Sequence, residues 1–379
     1  MGRAYCIFSA QYLPHMGGVE RYTYNLAKKL IELGNTVTVV TSNLQELPEY
    51  EKMKEISVYR MPAFALLNGR YPVLKFNGKF RKLHRRLRQE KFDFVIVNTR
   101  FYIHSVYGQW FAKSRNIKVI TIDHGSSHLS VGNPVFDAVG GTYEHIITKI
   151  GQLFCKDYYG VSKASVDWLK HFHIKPKGIL YNSVDVENIK GILERAKKKY
   201  RSAYGIDEED TVIAFTGRLL PEKGIPQLIG AFKEIQKNYK NTYLFLAGDG
   251  PLEDFVVQHK SEHLLPLGKK SFEEVIGLLS EADIFCLPSF SEGFSTSILE
   301  AIVCKCYVVT TERGGARETF PTDDYGTVIP NNDVVILINA LEKAMNSPEK
   351  REKAVELSYT RMKNNFTWDI VAEKVNELQ

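Results

Sequence analysis

Short β-branched runs alternate with stretches of helical periodicity along most of this chain, and that alternation constrains the fold more than any other feature. Ala4–Ser9, Thr36–Thr41 (TVTVVT), Phe92–Asn98 (FDFVIVN), Val119–Ile122, Tyr159–Ser162 and Ile179–Asn182 are continuous apolar runs. Such runs suit strands covered on both faces. Between the first two, Val19, Tyr22, Leu26, Leu30 and Leu33 recur at spacings of three and four, which predicts one apolar helical face, with Gly34 as its stop. Repeated units of this kind imply a parallel sheet wound with helices.

Residues 187–210 interrupt the rhythm. They are highly charged (ERAKKKYR, then DEED) and poor in β-branched residues, which predicts a linker with at most a solvated helix. A second series follows. Thr211–Thr216, Thr242–Ala247, Asp283–Leu287 and Tyr307–Thr311 read as strands, and Ser271 with Glu274 as a capping box. From about residue 333 the chain reads as helical. The expected organisation is α/β: an N-terminal Rossmann-like domain over 1–186, the linker 187–210, a second Rossmann-like domain over 211–362, and a C-terminal helix, 363–379, returning to the first domain. Two doubly wound parallel sheets then face a central cleft, and ligands are expected at the carboxyl ends of the strands.

The formal net charge of +6 divides unevenly. Residues 1–180 hold 26 Lys+Arg and 13 Asp+Glu, so +13, and the remainder holds 24 against 31, so −7. Much of the excess lies in residues 75–91 (KFNGKFRKLHRRLRQEK). There Phe76, Phe80, Leu83 and Leu87 predict an apolar stripe, and Lys79, Arg81, Lys82, Arg85, Arg86 and Arg88 a basic face. Like charges at this density favour an anion nearby. Anionic lipid attracts basic residues at about 1 kcal/mol each, and docking on the cytoplasmic leaflet of a membrane is expected. Nucleic acid is not expected, because no recognised binding motif accompanies the charge.

Residues 1–10 read as a strand and not as a secretory signal, and no run reaches the roughly 20 apolar residues of a spanning helix. The five cysteines (Cys6, Cys155, Cys286, Cys304, Cys306) mostly sit in apolar runs and predict buried, reduced thiols in a cytoplasmic protein. Peripheral association with the membrane is the expected localisation. Nothing in the sequence sets the oligomeric state.

Three motifs carry chemistry. His15-Met16-Gly17-Gly18-Val19-Glu20-Arg21 follows the first strand, where glycines and a helix N-terminus suit an anion; it also reads as a plain Gly-rich turn. It lacks the third glycine of a dinucleotide fingerprint. Gly217-Arg218-Leu219-Leu220-Pro221-Glu222-Lys223-Gly224 sets two cations on one strand-to-helix loop, in reach of a single pyrophosphate; both also read as surface charges. Glu292 to Glu300 (EGFSTSILE) puts one carboxylate in a loop and one on the helix behind it, which calls for cations, N–H groups or sugar hydroxyls as partners.

With these blocks in order, the sequence resembles the family 4 glycosyltransferases of GT-B fold. The resemblance also runs through Asp123-His124-Gly125, Tyr159–Ser162 (YGVS), Tyr181–Asp185 (YNSVD), Ala247–Pro251 (AGDGP), Leu267-Gly268 and Gly314-Gly315-Ala316-Arg317-Glu318. It implies that Arg218 and Lys223 bind the donor diphosphate, that Glu292 contacts the donor sugar or its phosphate, and that Glu300 holds ribose hydroxyls. Gly17 and Gly18 would face phosphates or acceptor, and His124 the transferred sugar. Gly248, in the AGDGP block, and Ser295 and Thr296, beside the donor sugar, join the binding set. The resemblance also implies a retaining mechanism without metal, in keeping with the lack of any Asp-x-Asp pair. No cofactor is implied beyond the nucleotide sugar, with a UDP-sugar expected ahead of GDP- or dTDP-sugars. The acceptor is expected to be lipid-linked or a growing surface glycan such as capsule or lipopolysaccharide. Two other readings stay open: an epimerase or sugar-phosphate-using enzyme on the same fold, and a non-catalytic nucleotide-sugar-binding subunit.

Overall fold

The computed structural model describes residues 2–67, 69–128, 134–196 and 199–378. The chain forms two compact units, one of residues 1–182 with 368–379 and one of residues 183–367.

Unit one holds strands β1 (Ala4–Phe8), β2 (Thr36–Asn43), β3 (Tyr50–Met53), β4 (Ile56–Leu66), β5 (Tyr71–Leu74), β6 (Phe94–Asn98), β7 (Lys118–Asp123), β8 (Asp157–Gly160) and β9 (Gly178–Ile179). The sheet order is β3-β4-β2-β1-β6-β7-β8-β9, with β5 paired to β4. From β4 to β9 the pairing is parallel; β3 and β5 pair with β4 antiparallel. Strands β1 and β6 are buried along almost their whole length, as helices on both faces require. Full burial of each such Val, Ile or Phe contributes roughly 1.5–3 kcal/mol. The hairpin over 50–74 has no counterpart in the sequence reading. Its last strand carries Pro72 and lies off the main path, where a missing N–H costs no central ladder bond.

The helix Gly18–Glu32 buries Tyr22, Leu26 and Leu30, whereas Leu33, its C-cap, stays exposed. The helix Trp368–Glu377 packs beside it. Tyr22 meets the Trp368 ring edge-on at 4.8 Å, Lys29 pairs with Asp369 at 2.9 Å, and Tyr5 Oη donates to Asn376 Oδ1 at 3.0 Å. The basic segment forms the helix Gly78–Gln89. Phe80, Leu83 and Leu87 are buried and all six named cations are exposed. Phe76 departs from the expected stripe: it precedes the cap residue Asn77 and is 59% exposed.

Unit two holds β10 (Thr211–Thr216), β11 (Thr242–Ala247), β12 (Leu264–Gly268), β13 (Ile284–Leu287), β14 (Tyr307–Thr311) and β15 (Thr327–Ile329) in the order β12-β11-β10-β13-β14-β15, all parallel. The expected linker 187–210 belongs to this unit instead. Residues 197 and 198 lie outside the described residues. The helix Val186–Arg195 buries Ile189 and Ile192. The buried Glu281 carboxylate accepts the N–H groups of Lys199, Tyr200 and Arg201 at 2.8, 3.1 and 2.8 Å, and Arg201 pairs with Asp283 at 2.8 Å. The charge of this stretch is thus partly internal, which its composition did not reveal. The Ser271–Glu274 capping box forms as expected. All five cysteines are buried and free.

One buried group couples the fold to pH. His104 is fully buried, with Nε2 2.9 Å from the Val40 carbonyl oxygen, and burial pulls its pKa down to about 4. The unfolded chain takes up this proton near 6.5. The stabilisation is therefore complete above about pH 6.5 and falls from there toward pH 4, by about 1.4 kcal/mol per pH unit. The urea midpoint of the wild type should drop between pH 6.5 and 4.5, and His104→Gln should flatten that drop. Equal slopes in the two proteins would contradict this reading.

Candidate active site

In unit two the strand order reverses between β10 and β13, which diverge to opposite sides of the sheet. The loops leaving their carboxyl ends meet at the strand ends before their helices diverge, and a ligand is expected at that edge. Both motifs with charged side chains sit on these two loops. After β10 the chain runs through Gly217 and Arg218 into a single 3-10 turn, Pro221–Lys223, and then the helix Ile225–Asn238. After β13 it runs through Pro288 and Ser289 to Glu292 and the helix Thr296–Val303.

The loops are locked together by backbone. Phe290 N–H donates to the Glu222 carbonyl at 3.0 Å. Gly224 has φ +73°, and a Cβ there would stand 2.1 Å from the Pro288 carbonyl oxygen, so only glycine permits this approach. Gly248, after β11, plays a similar part: a Cβ would stand 1.8 Å from the Gly217 carbonyl oxygen. It shapes the loop by close packing.

The result is a direct ion pair. Lys223 Nζ donates to Glu292 Oε1 at 2.5 Å, and Ser289 Oγ donates to the same oxygen at 3.0 Å. The two charged side chains are 23% and 12% exposed. Arg218, by contrast, is exposed, and its side chain has no hydrogen-bond or ion-pair partner among the described residues. Glu300 is buried on the helix Thr296–Val303, and Ser295 is that helix's cap residue, its Oγ 2.9 Å from Ser297 Oγ. Thr296 is half-buried beside it. Arg218, Lys223, Glu292, Ser295, Thr296, Glu300 and Gly248 therefore all lie in unit two, at or just beyond strand ends.

Unit one has its own reversal, between β1 and β6. Gly17 and Gly18 follow β1. The Gly17 N–H is already used, donating to Glu20 Oε2 at 2.8 Å, so that amide is occupied by the chain's own carboxylate. Gly18 is exposed and a Cβ there meets nothing within 4 Å. His124 follows β7. Its ring meets Tyr22 edge-on at 4.8 Å, and its Nε2 lies 3.1 Å from Asn98 Oδ1. Asn98 Nδ2 in turn donates to Thr23 Oγ1 at 2.7 Å, and Thr23 to the Val19 carbonyl at 2.8 Å. This chain of donors assigns the proton to Nε2 and leaves Nδ1 an acceptor. Burial lowers the His124 pKa to about 3, so the ring is neutral near pH 7.

Sequence reasoning missed the supports of His124. Asn98 ends β6, and an asparagine at a strand end was the available signal. It also missed Arg100, whose buried guanidinium reaches both Asp123 oxygens at 3.1 Å and Glu144 at 2.7 Å. Burial pushes the Asp123 carboxyl up, against the pull of Arg100.

Comparison with known proteins agrees with this architecture. The family described as "Glycosyl transferases group 1" matches residues 196–361, and "Glycosyltransferase Family 4" matches residues 16–188. An uncharacterized glycosyltransferase of Methanocaldococcus jannaschii is 28% identical over 96% of this chain and 94% of its own. The GPI3 subunit of phosphatidylinositol N-acetylglucosaminyltransferase from Saccharomyces cerevisiae is 24% identical over 97% of this chain and 80% of its own. The solved structure of Anabaena HepE in complex with UDP superposes with a TM-score of 0.74 at 18% identity, over 100% of this chain and 99% of that one. The chain belongs to the family 4-type glycosyltransferases of GT-B fold.

Proposed function

We propose that this glycosyltransferase moves one sugar, with retention of anomeric configuration, from a nucleoside-diphosphate sugar to a hydroxyl of a lipid-linked or surface-glycan acceptor. The observation that carries the reading is the Lys223–Glu292 pair at the strand-order reversal, with the exposed Arg218 on the same loop.

Cleaving a glycosyl–phosphate bond builds positive charge on the sugar and negative charge on the departing diphosphate. Fixed cations gain most in the transition state. Arg218, exposed and without a partner among the described residues, is ready for the diphosphate. Lys223 is held by Glu292 and is steered to one place before any ligand arrives. As the diphosphate approaches, Lys223 shares its donors between phosphate and Glu292, and the Glu292 carboxylate also accepts from a sugar hydroxyl. The acceptor hydroxyl attacks the anomeric carbon from the face the diphosphate leaves. Its proton passes to a phosphate oxygen of the leaving group, so no nucleophilic side chain and no metal is called on. Glu300 takes ribose hydroxyls, while Ser295 and Thr296 border the donor sugar. Neutral His124 offers Nδ1 to a sugar hydroxyl, and Gly18 lets a ligand approach the helix backbone.

The donor reading is a UDP-sugar, and the UDP complex of HepE supports that class. The acceptor reading draws on the phosphatidylinositol named for the yeast relative and on unit one's surface. There the basic helix Gly78–Gln89 and the exposed Phe64, Leu66, Leu67 and Phe76 offer charge and apolar anchors to one anionic membrane face. Among the described residues no helix is long and apolar enough to cross a membrane. Capsule or lipopolysaccharide synthesis at the cytoplasmic leaflet is the setting such an acceptor suits.

Three experiments test these points. Incubation with UDP-, GDP- and dTDP-sugars and membrane lipid extracts should give acceptor-dependent release of nucleoside diphosphate. Arg218→Ala and Lys223→Ala should each lower kcat about 100-fold, on the order of 3 kcal/mol, with circular dichroism unchanged; near-normal turnover would refute the leaving-group role. Reversing Arg85, Arg86 and Arg88 to Glu should abolish sedimentation with anionic vesicles, and undiminished binding would leave the basic face without a membrane partner.

A further inference from the structure

Three histidines that belong to none of the motifs converge in unit one. His128 lies in the loop after β7, His145 on the helix Pro134–Gly151, and His171 ends the helix Lys163–His171. One imidazole nitrogen from each lies within 4.8 Å of the other two. His145 Nε2 and His171 Nε2 are only 3.1 Å apart, although both residues are exposed. Two nitrogens with lone pairs approach this closely only with a proton or a cation between them.

An aromatic frame fixes the rings. His171 stacks on Trp168 at 4.7 Å with an interplanar angle of 7°. Phe172 lies 5.8, 4.6 and 5.0 Å from His128, His145 and His171. Behind His128 stands a carboxylate: its Nδ1 is 3.3 Å from Glu144 Oε2, the oxygen that Arg100 Nη2 also reaches. The contact is not a hydrogen bond, since His128 Nδ1 has no hydrogen-bond partner among the described residues, and the carboxylate acts on the ring through its charge alone. The Nε2 edge of His128 faces Gly141, one turn before His145, and even a Cβ there would come no closer than 3.7 Å.

We propose that His128, His145 and His171 form a mononuclear site for a zinc-class divalent transition ion, with the fourth position open to water. Zinc–nitrogen bonds of about 2.0–2.1 Å set tetrahedral ligands about 3.3–3.4 Å apart. The His145–His171 pair already stands near that spacing, and a small rotation of exposed side chains closes the third. Three neutral imidazoles suit zinc, copper, nickel or cobalt and not magnesium or calcium. The ion ties two helices to the segment that begins four residues earlier at His124, and so steadies the strand-end loop carrying that ring.

The test uses the untagged full chain, stripped with chelator and titrated with Co2+ by visible absorption. The site should take up one equivalent per chain, with the intense bands of a tetrahedral ion, and Zn2+ should displace it. His128→Ala, His145→Ala and His171→Ala should each weaken binding by about 100-fold, while His259→Ala in unit two should leave it unchanged. Circular dichroism checks that each variant is folded. Absence of a saturable Co2+ spectrum would overturn the proposal and leave a hydrogen bond shared between His145 and His171. An unchanged affinity in any of the three variants would overturn the three-ligand assignment.

Discussion

The rest of the site depends on where the strand order reverses. In a parallel sheet every strand ends at the same edge, and neighbouring connections normally cross to the same side. Between β10 and β13 they cross to opposite sides, so their two loops meet only at the strand ends. That meeting is what sets Lys223 against Glu292, 69 positions apart in sequence. Unit one repeats the arrangement between β1 and β6, and Gly18 and Asn98 stand at its edge.

Electrostatics at the two edges differ in kind. Unit two keeps exposed or paired cations within reach of solvent, suited to an anion that comes and goes. Unit one buries its charge: Arg100 serves two carboxylates out of water, and His124 is kept neutral by burial. In the proposed function a neutral ring with one nitrogen tied to Asn98 would offer a sugar a fixed acceptor, whereas an imidazolium would oppose the positive charge developing on it.

Most of the strands could be read from sequence because parallel strands covered on both faces are written as uninterrupted apolar runs. Thr211–Thr216 and Phe94–Asn98 are of this kind. Strands β3 and β5 could not, since an edge strand is half-exposed and its sequence is mixed. The charged stretch 187–210 misled because Arg201 and the backbone beside it find Glu281 and Asp283, some 80 residues away. Motif order marked Arg218, Lys223, Glu292 and Glu300 as one group, but spacing could not tell that Lys223 is paired while Arg218 has no partner among the described residues. Gly17 shows the converse: its motif suggested a free amide, and the side chain three residues on already occupies it. His128, His145 and His171 gave no spacing signal because each comes from a different element.

The loops after β10 and β13 act as one unit through Lys223 and Glu292. A double-mutant cycle with Lys223→Met, Glu292→Gln and the double variant, followed by urea unfolding, measures that coupling directly. For a partly buried, hydrogen-bonded pair the account predicts a coupling of about 1–3 kcal/mol. A value within about 0.3 kcal/mol of zero would mean that the two residues act independently and would contradict it.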